Sequence, residues 1–280
     1  MDNLELLNFG SDKLKSKGIL TYQLDAEILL SKILKKTRED LIINMNEKVS
    51  PNSVAKFKNF IERRSDREPI AYLLGEKEFW SKNFIVNKDT LIPRPETEMM
   101  VEKLVRLYRD QRINILDIGT GSGCIIISLL SELKKCRGIG VDISKKAIQI
   151  AEKNKIKNKI ISRLRFQKKS FLDIYNYKFD LIVSNPPYID KKFLNRLDED
   201  IRKYEPIIAL DGGKDGLDVL EKVIYKAKYI LKIRGKLALE IGNEQYLEVS
   251  KILKRNNFRI EHYIKDYKEN IRCLISSLNK

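Results

Sequence analysis

From Ile113 onward, short apolar runs alternate with amphipathic stretches, and no other feature of the chain narrows its architecture as far. Strand-like segments lie at 113–118, 138–142, 163–167, 179–184 and 236–241, while helical periodicity marks 122–133, 145–154, 216–231 and 244–253. Two last strand-like runs, 258–263 and 271–276, flank a turn around Lys268-Glu269-Asn270. This alternation predicts a doubly wound α/β sheet, mostly parallel and closing in an antiparallel hairpin. Ligands of such sheets sit at the C-terminal ends of the strands, so the residues leaving those ends carry the functional argument.

The run Phe179–Ser184 (FDLIVS) reads as a buried strand and ends in Asn185-Pro186-Pro187-Tyr188. That tetrad continues a sheet poorly, because proline has a fixed φ and no N–H for a ladder. It suits a planar group bearing an NH2. The Asn185 side-chain oxygen and the Pro186 carbonyl can accept its two protons, and the Tyr188 ring can stack on its plane.

A second signal, Asp117 to Gly123 (DIGTGSG), also lies at a strand end. Gly119-Thr120-Gly121-Ser122-Gly123 lets the backbone pass close to a ligand and start a helix, although a tight turn would use the same glycines. Asp142, about 20 residues on at the next strand end, suits a ribose diol. The lesser reading is a cap on the helix that begins near Ser144-Lys145. This logic alone does not separate NAD from S-adenosylmethionine. The Gly-x-Gly-x-Gly spacing weighs against a dinucleotide, as does Asp117, whose carboxylate suits a cationic aminoacyl sulfonium better than a pyrophosphate. A nucleotide loop and an amide or amine clamp in one domain point to group transfer to nitrogen.

The length of 280 residues accommodates one large domain and a small one. With 42% hydrophobic and 34% charged residues the chain is globular rather than disordered. No apolar run approaches the roughly 20 residues of a membrane span, and the acidic, amphipathic N-terminus fits neither a secretory signal nor a transit peptide. Cys124, Cys136 and Cys273 lack metal-ligand spacing and His262 is the one histidine, so no metal site is expected. Three thiols without a disulfide pattern fit a reducing cytoplasm. The formal charge of +16 allows steering toward RNA or an RNA-bound protein. The lysines are spread along the whole chain, however, and no arginine-rich tail or RNA-binding aromatic motif accompanies them.

Residues 1–73 read as a helical bundle that serves docking or substrate positioning. In 25–34, Ala26, Leu29, Leu30, Ile33 and Leu34 share one helical face, and Ser50 before Pro51 opens another helix to Arg64. Residues 74–90 read as a β-hairpin linker in which Phe79, Trp80, Phe84 and Val86 flank a turn at Ser81-Lys82-Asn83. Residues 91–280 form the second domain, entered through LIPRPETE, where Thr97 or Glu96 is expected to open a helix running through Leu107. Arg94 and Glu96 in that segment read as an interdomain ion pair or as support for a site wall. Tyr204-Glu205-Pro206 and the loop 211–216 read as the rim of the site.

DIGTGSG, VDIS and IVSNPPYI, in this order, resemble the class I S-adenosylmethionine-dependent methyltransferases, and NPPY resembles their amino-methylating subset. EPIAYLLGEKEF, TLIPRPETE, YEPIIALDGGKDGL and LALEIG narrow the resemblance to the HemK/PrmC family of protein-(glutamine-N5) methyltransferases, over roughly 68–243. The resemblance implies a seven-stranded, Rossmann-like methyltransferase domain behind a small helical domain. It implies methyl transfer from S-adenosylmethionine, leaving S-adenosylhomocysteine, to the glutamine of the Gly-Gly-Gln motif in class 1 peptide chain release factors. Residue by residue, it puts the cofactor loop at Gly119, Thr120, Gly121, Ser122 and Gly123 and the ribose-binding acid at Asp142, to which Asp117 and Asn185 are added as cofactor contacts, with Phe171 as the nearest adenine-side aromatic and a core contact as the other reading of that residue. It puts the substrate clamp at Asn185, Pro186, Pro187 and Tyr188, of which Asn185, Pro186 and Tyr188 are the catalytic candidates, with no metal. Methylation of a base amine in ribosomal RNA or DNA is the alternative, and a non-catalytic RNA-binding protein on the same fold a third reading.

Overall fold

A computed structural model of the chain describes residues 1–279. Its contacts separate two units, one made of Met1–Glu76 with Asp198–Tyr204, the other of Lys77–Leu197 with everything from Glu205 onward.

The first unit holds α1 (Asn3–Ser16), α2 (Tyr22–Leu34), α3 (Arg38–Ile43), α4 (Pro51–Ser65) and α5 (Ile70–Leu74). Local chemistry starts these helices. Asp2 and Glu5 form a reciprocal capping box on α1. Ser50 accepts from the Ser53 amide ahead of Pro51, which loses nothing at the first helical position. Leu6, Leu14, Ala26, Leu29, Leu30, Phe57 and Ile61 form the core. Arg64 is buried beside it and donates to Asp25 at 2.7 Å and to Asp200 at 2.6 Å.

The second unit starts with a hairpin, β1 (Glu76–Phe79) and β2 (Lys82–Ile85), most of which belongs to it, and α6 (Pro95–Tyr108). The turn is Trp80-Ser81, both at φ 52°, rather than Ser81-Lys82-Asn83. A two-residue turn with positive φ matches the twist of the flanking strands. Phe79 and Phe84 are buried in the core of this unit. Helix α6 begins with Pro95 after Arg94, so neither Thr97 nor Glu96 caps it; the Thr97 hydroxyl is bonded to Glu240 instead.

The rest follows the expected alternation: β3 (Asn114–Ile118), α7 (Cys124–Glu132), β4 (Arg137–Asp142), α8 (Lys145–Lys157), β5 (Leu164–Lys168) and β6 (Phe179–Ser184), then α9 (Glu199–Tyr204) in the first unit, and α10 (Asp218–Ile230), β7 (Leu231–Glu240), α11 (Tyr246–Arg255), β8 (Phe258–Lys265) and β9 (Ile271–Leu278). The seven strands run in the order β5-β4-β3-β6-β7-β9-β8. Neighbours pair in parallel from β5 to β7, and β9 is antiparallel to both β7 and β8. Strand β3 shows why the sheet is buried on both sides. Ile115 joins the core on one face, and Leu116 and Ile118 join that on the other. Strand order reverses between β3 and β6, which opens a crevice at their C-terminal ends. No helix among the described residues is long and apolar enough to cross a membrane.

Candidate functional site

A cavity of about 560 Å³ opens at that crevice. Its wall takes residues from the loops after β3, β4, β5 and β6, among them Gly119 to Ser122, Asp142, Phe171 and Asn185 to Pro187. The chain leaves β3 through Gly119 and Gly121 at φ 69° and 54°, where a side chain would be strained. A Cβ on Gly119 would meet nothing within 4 Å and one on Gly121 only the Gly119 carbonyl at 4.0 Å, so both present bare backbone to open space. That is the cradle a ligand needs for close approach. Gly123 serves packing instead, since a Cβ there would stand 2.9 Å from Phe166.

Asp142 ends β4 and lines the cavity. Its two carboxylate oxygens accept from the Gly121 amide at 3.0 Å and the Ser144 amide at 2.8 Å. The cap of α8 is Ser144, which accepts from Ala147, so Asp142 does not play that part. Burial raises the Asp142 pKa, and the two amides work against it. Asp117 lies deeper. It is fully buried, takes the Thr120 hydroxyl at 2.6 Å, and is absent from the cavity wall. Its Oδ1 has no partner among the described residues. Burial pushes its pKa up to about 7, with the charge of Asp142 adding to the rise. Asp117 therefore braces the glycine loop from below. Phe171 opens a short 3₁₀ turn after β5 and faces the cavity with one side and the core with the other.

Asn185 leaves β6 beside the glycine loop, since Ser184 pairs with Ile118 in register, and lines the same cavity. Its Nδ2 donates to Thr97 Oγ1 at 3.4 Å, and neither its Oδ1 nor the Pro186 carbonyl has a donor among the described residues. Tyr188 is placed differently from the sequence expectation. It does not line the cavity; its hydroxyl lies 3.3 Å from Glu240 and accepts from Arg272 at 3.1 Å, and the Arg272 guanidinium stands 5.7 Å from the ring centre. The tetrad is held by main chain. The Ile189 amide donates to the Leu210 carbonyl at 3.1 Å and its carbonyl accepts from the Gly212 amide at 2.8 Å, while Gln245 donates to the Tyr188 carbonyl at 3.0 Å. A Cβ on Gly216 would fall 2.2 Å from that carbonyl, which is why the loop carries glycine there. Arg94 pairs with buried Glu205 at 2.5 Å inside the second unit, so the pair is not interdomain. Glu205 also accepts from the Ile92 amide at 3.1 Å, tying LIPRPETE to YEP.

Glu240, Arg272 and Gln245 carry no expectation from the sequence and Thr97 only that of opening a helix, although Thr97 and Glu240 sit in LIPRPETE and LALEIG. Glu240 has no exposed surface and accepts from Thr97 at 2.5 Å. Burial raises its pKa, and Thr97 and Arg272 oppose the rise.

This sheet order, with a glycine cradle, an acid at the next strand end and an Asn185 to Pro187 wall, is that of a methyltransferase domain, and residues 109–273 match the family model for a methyltransferase domain. The PrmC N-terminal domain model matches residues 5–75. The release factor glutamine methyltransferase of Fusobacterium nucleatum is 40% identical over 279 residues, covering 98% of this chain and 78% of the relative. That of Buchnera aphidicola subsp. Schizaphis graminum is 44% identical over 248 residues, covering 89% and 90%. The chain belongs to the release factor glutamine methyltransferase family. It also aligns over 98% of its length with the bifunctional methyltransferase of Rickettsia typhi at 39% identity, but spans only 57% of that longer protein. Among solved structures, a methyltransferase from Pyrococcus furiosus shares the fold at TM-score 0.53 and 18% identity, covering 70% of this chain and 89% of the other.

Proposed function

We propose that the chain transfers a methyl group from S-adenosylmethionine to the side-chain amide nitrogen (N5) of the glutamine in the Gly-Gly-Gln motif of class 1 peptide chain release factors, modulating translation termination in the cytoplasm. The observation that carries this reading is the pair of unpartnered acceptors, Asn185 Oδ1 and the Pro186 carbonyl, on residues that line one cavity with a bare glycine cradle. The names of the relatives give the substrate class.

The residues fit the cofactor. The glycine loop offers backbone without side chains, and the Asp142 carboxylate is oriented by two amides with lone pairs left for a diol. Phe171 and Ile143 add apolar wall. S-adenosylmethionine, when bound, supplies an electrophilic methyl group.

An amide nitrogen is a poor nucleophile because its lone pair is delocalised. The protein's task is to hold it in line at about 3 Å from the reacting carbon and to exclude water. Positive charge grows on the NH2 as the new bond forms, and one of its two protons is released to solvent after the transfer. Acceptors fixed at its two protons are then stronger in the transition state than in the ground state. Asn185 Oδ1 and the Pro186 carbonyl take that role. Pro187 stiffens the segment, and Tyr188, turned toward Glu240, supports the clamp from behind.

The test is incubation with labelled S-adenosylmethionine and a purified release factor, with ribosomal RNA in a parallel arm. Label on the release-factor glutamine supports the reading; label on RNA alone replaces it with base methylation. Asn185→Ala should lose on the order of 10²-fold in turnover. Asp142→Ala should weaken cofactor binding by about 10-fold or more, read by calorimetry, through loss of charge-assisted bonds.

A further inference from the structure

Behind Asn185 a single line of hydrogen bonds joins five side chains from different parts of the second unit. Arg272 on β9 donates to the Tyr188 hydroxyl at 3.1 Å, and that hydroxyl stands 3.3 Å from Glu240 Oε1. On the other side Thr97 on α6 donates to Glu240 Oε2 at 2.5 Å, and Asn185 Nδ2 donates to Thr97 Oγ1 at 3.4 Å. The nearby Arg272 charge favours the ionised form of Glu240, which only accepts, so the Thr97 and Tyr188 hydroxyl protons both turn toward it. The Thr97 oxygen is then left with lone pairs alone, and these face an N–H donor rather than a carbonyl. Each bond in the line is thereby given a direction, starting from Glu240.

We infer that Glu240 and Thr97 are positioning residues that lock the Asn185 carboxamide in the one orientation that leaves its Oδ1 for the cavity. The inference rests on the reading above, in which that oxygen accepts from the substrate NH2. A carboxamide free to turn over would set NH2 against NH2 and replace an acceptor with a donor where positive charge develops. Binding through the rest of the site would persist, so the loss falls on turnover rather than on KM.

The experiment uses the full chain with Thr97→Val, Thr97→Ser and Glu240→Gln. Thr97→Val is expected to lower kcat by about 10- to 100-fold, with KM and cofactor Kd within about 2-fold of wild type. Thr97→Ser keeps the hydroxyl and should restore turnover to within about 3-fold of wild type. In an Asn185→Ala background Thr97→Val should cost little more, because the two act as a unit. Glu240→Gln should resemble Thr97→Val; should it fail to fold, the threonine pair still decides. A readout independent of turnover is the Asn185 side-chain NH2 in a chain with 15N-labelled asparagine. Its solvent exchange should be slowed in wild type and Thr97→Ser, and fast in Thr97→Val.

Wild-type kcat in Thr97→Val, multiplicative losses in the double variant, or unchanged amide exchange would each overturn the inference. If wild type labels no release factor but the amide exchange follows this pattern, the substrate reading falls and the orientation of Asn185 stands.

Discussion

Asp117 sits under the glycine loop without touching the cavity, and its surroundings raise its pKa to about 7. In the unfolded chain the same group titrates near a pKa of about 3.9. Between those two values the native state holds the proton that the unfolded state has lost. Its contribution to stability is therefore complete below about pH 4 and is lost as pH rises through about 7. Asp117→Asn removes that loss. Calorimetry without cofactor should find the variant's Tm, relative to wild type, higher by a few degrees at pH 8 than at pH 5. The same offset at both pH values would show that Asp117 carries no such proton. The legible part of the site was the part written in consecutive residues: the glycine loop, Asp142 and the Asn185 to Pro187 wall. Thr97 and Glu240 meet across 143 positions, and nothing local in either segment announces the partner. The direction of Tyr188 was hidden for the same reason, since Arg272 and Glu240 arrive from strands on the far side of the crossover.

At the scale of elements, periodicity located the strands and helices of the second unit to within a few residues, because each buries an apolar face of regular spacing. Two departures have physical causes. Strand β7 begins at Leu231, before the apolar run, because Leu231 already pairs with Phe179 ahead of an irregularity in register. The hairpin turn uses non-glycine residues at positive φ, a conformation that sequence does not advertise. The loop after the tetrad packs backbone on backbone, and a pair of glycine variants can measure that contact. Gly75 and Gly216 share nearly the same φ, 72° and 69°. A Cβ on Gly75 meets nothing within 4 Å, whereas one on Gly216 meets the Tyr188 carbonyl at 2.2 Å and Gln245 at 2.8 Å. Gly75→Ala should cost only the backbone preference, about 1–2 kcal/mol in denaturant melts. Gly216→Ala should cost more and reduce turnover by about 10-fold or more, because it displaces the catalytic segment. Equal effects of the two on turnover would mean that the loop does not position the tetrad.

At the scale of the molecule, the first unit is not one stretch of chain: it recruits Asp198–Tyr204 from between two parts of the second. That helix brings Asp200 to the buried Arg64, while the Tyr204 hydroxyl and Lys203 donate to the Asp66 carbonyl. Leaving a buried guanidinium short of one carboxylate is costly. Asp200→Asn should lower the stability of the first unit by about 1–2 kcal/mol, seen as faster amide exchange in α2 and α4 with cofactor affinity unchanged. No sequence pattern signalled this exchange of segments, since α9 is short and polar and lies far from its partners along the chain. The arrangement also sets a timetable for biosynthesis. The ribosome finishes residue 76 and then makes roughly 120 more before α9 is available, a wait of about 6–25 s at ordinary elongation rates. Through that interval Arg64 has the Asp25 carboxylate and the Glu68 carbonyl but not Asp200, so residues 1–76 gain their last buried partner only once a much later segment has been synthesised.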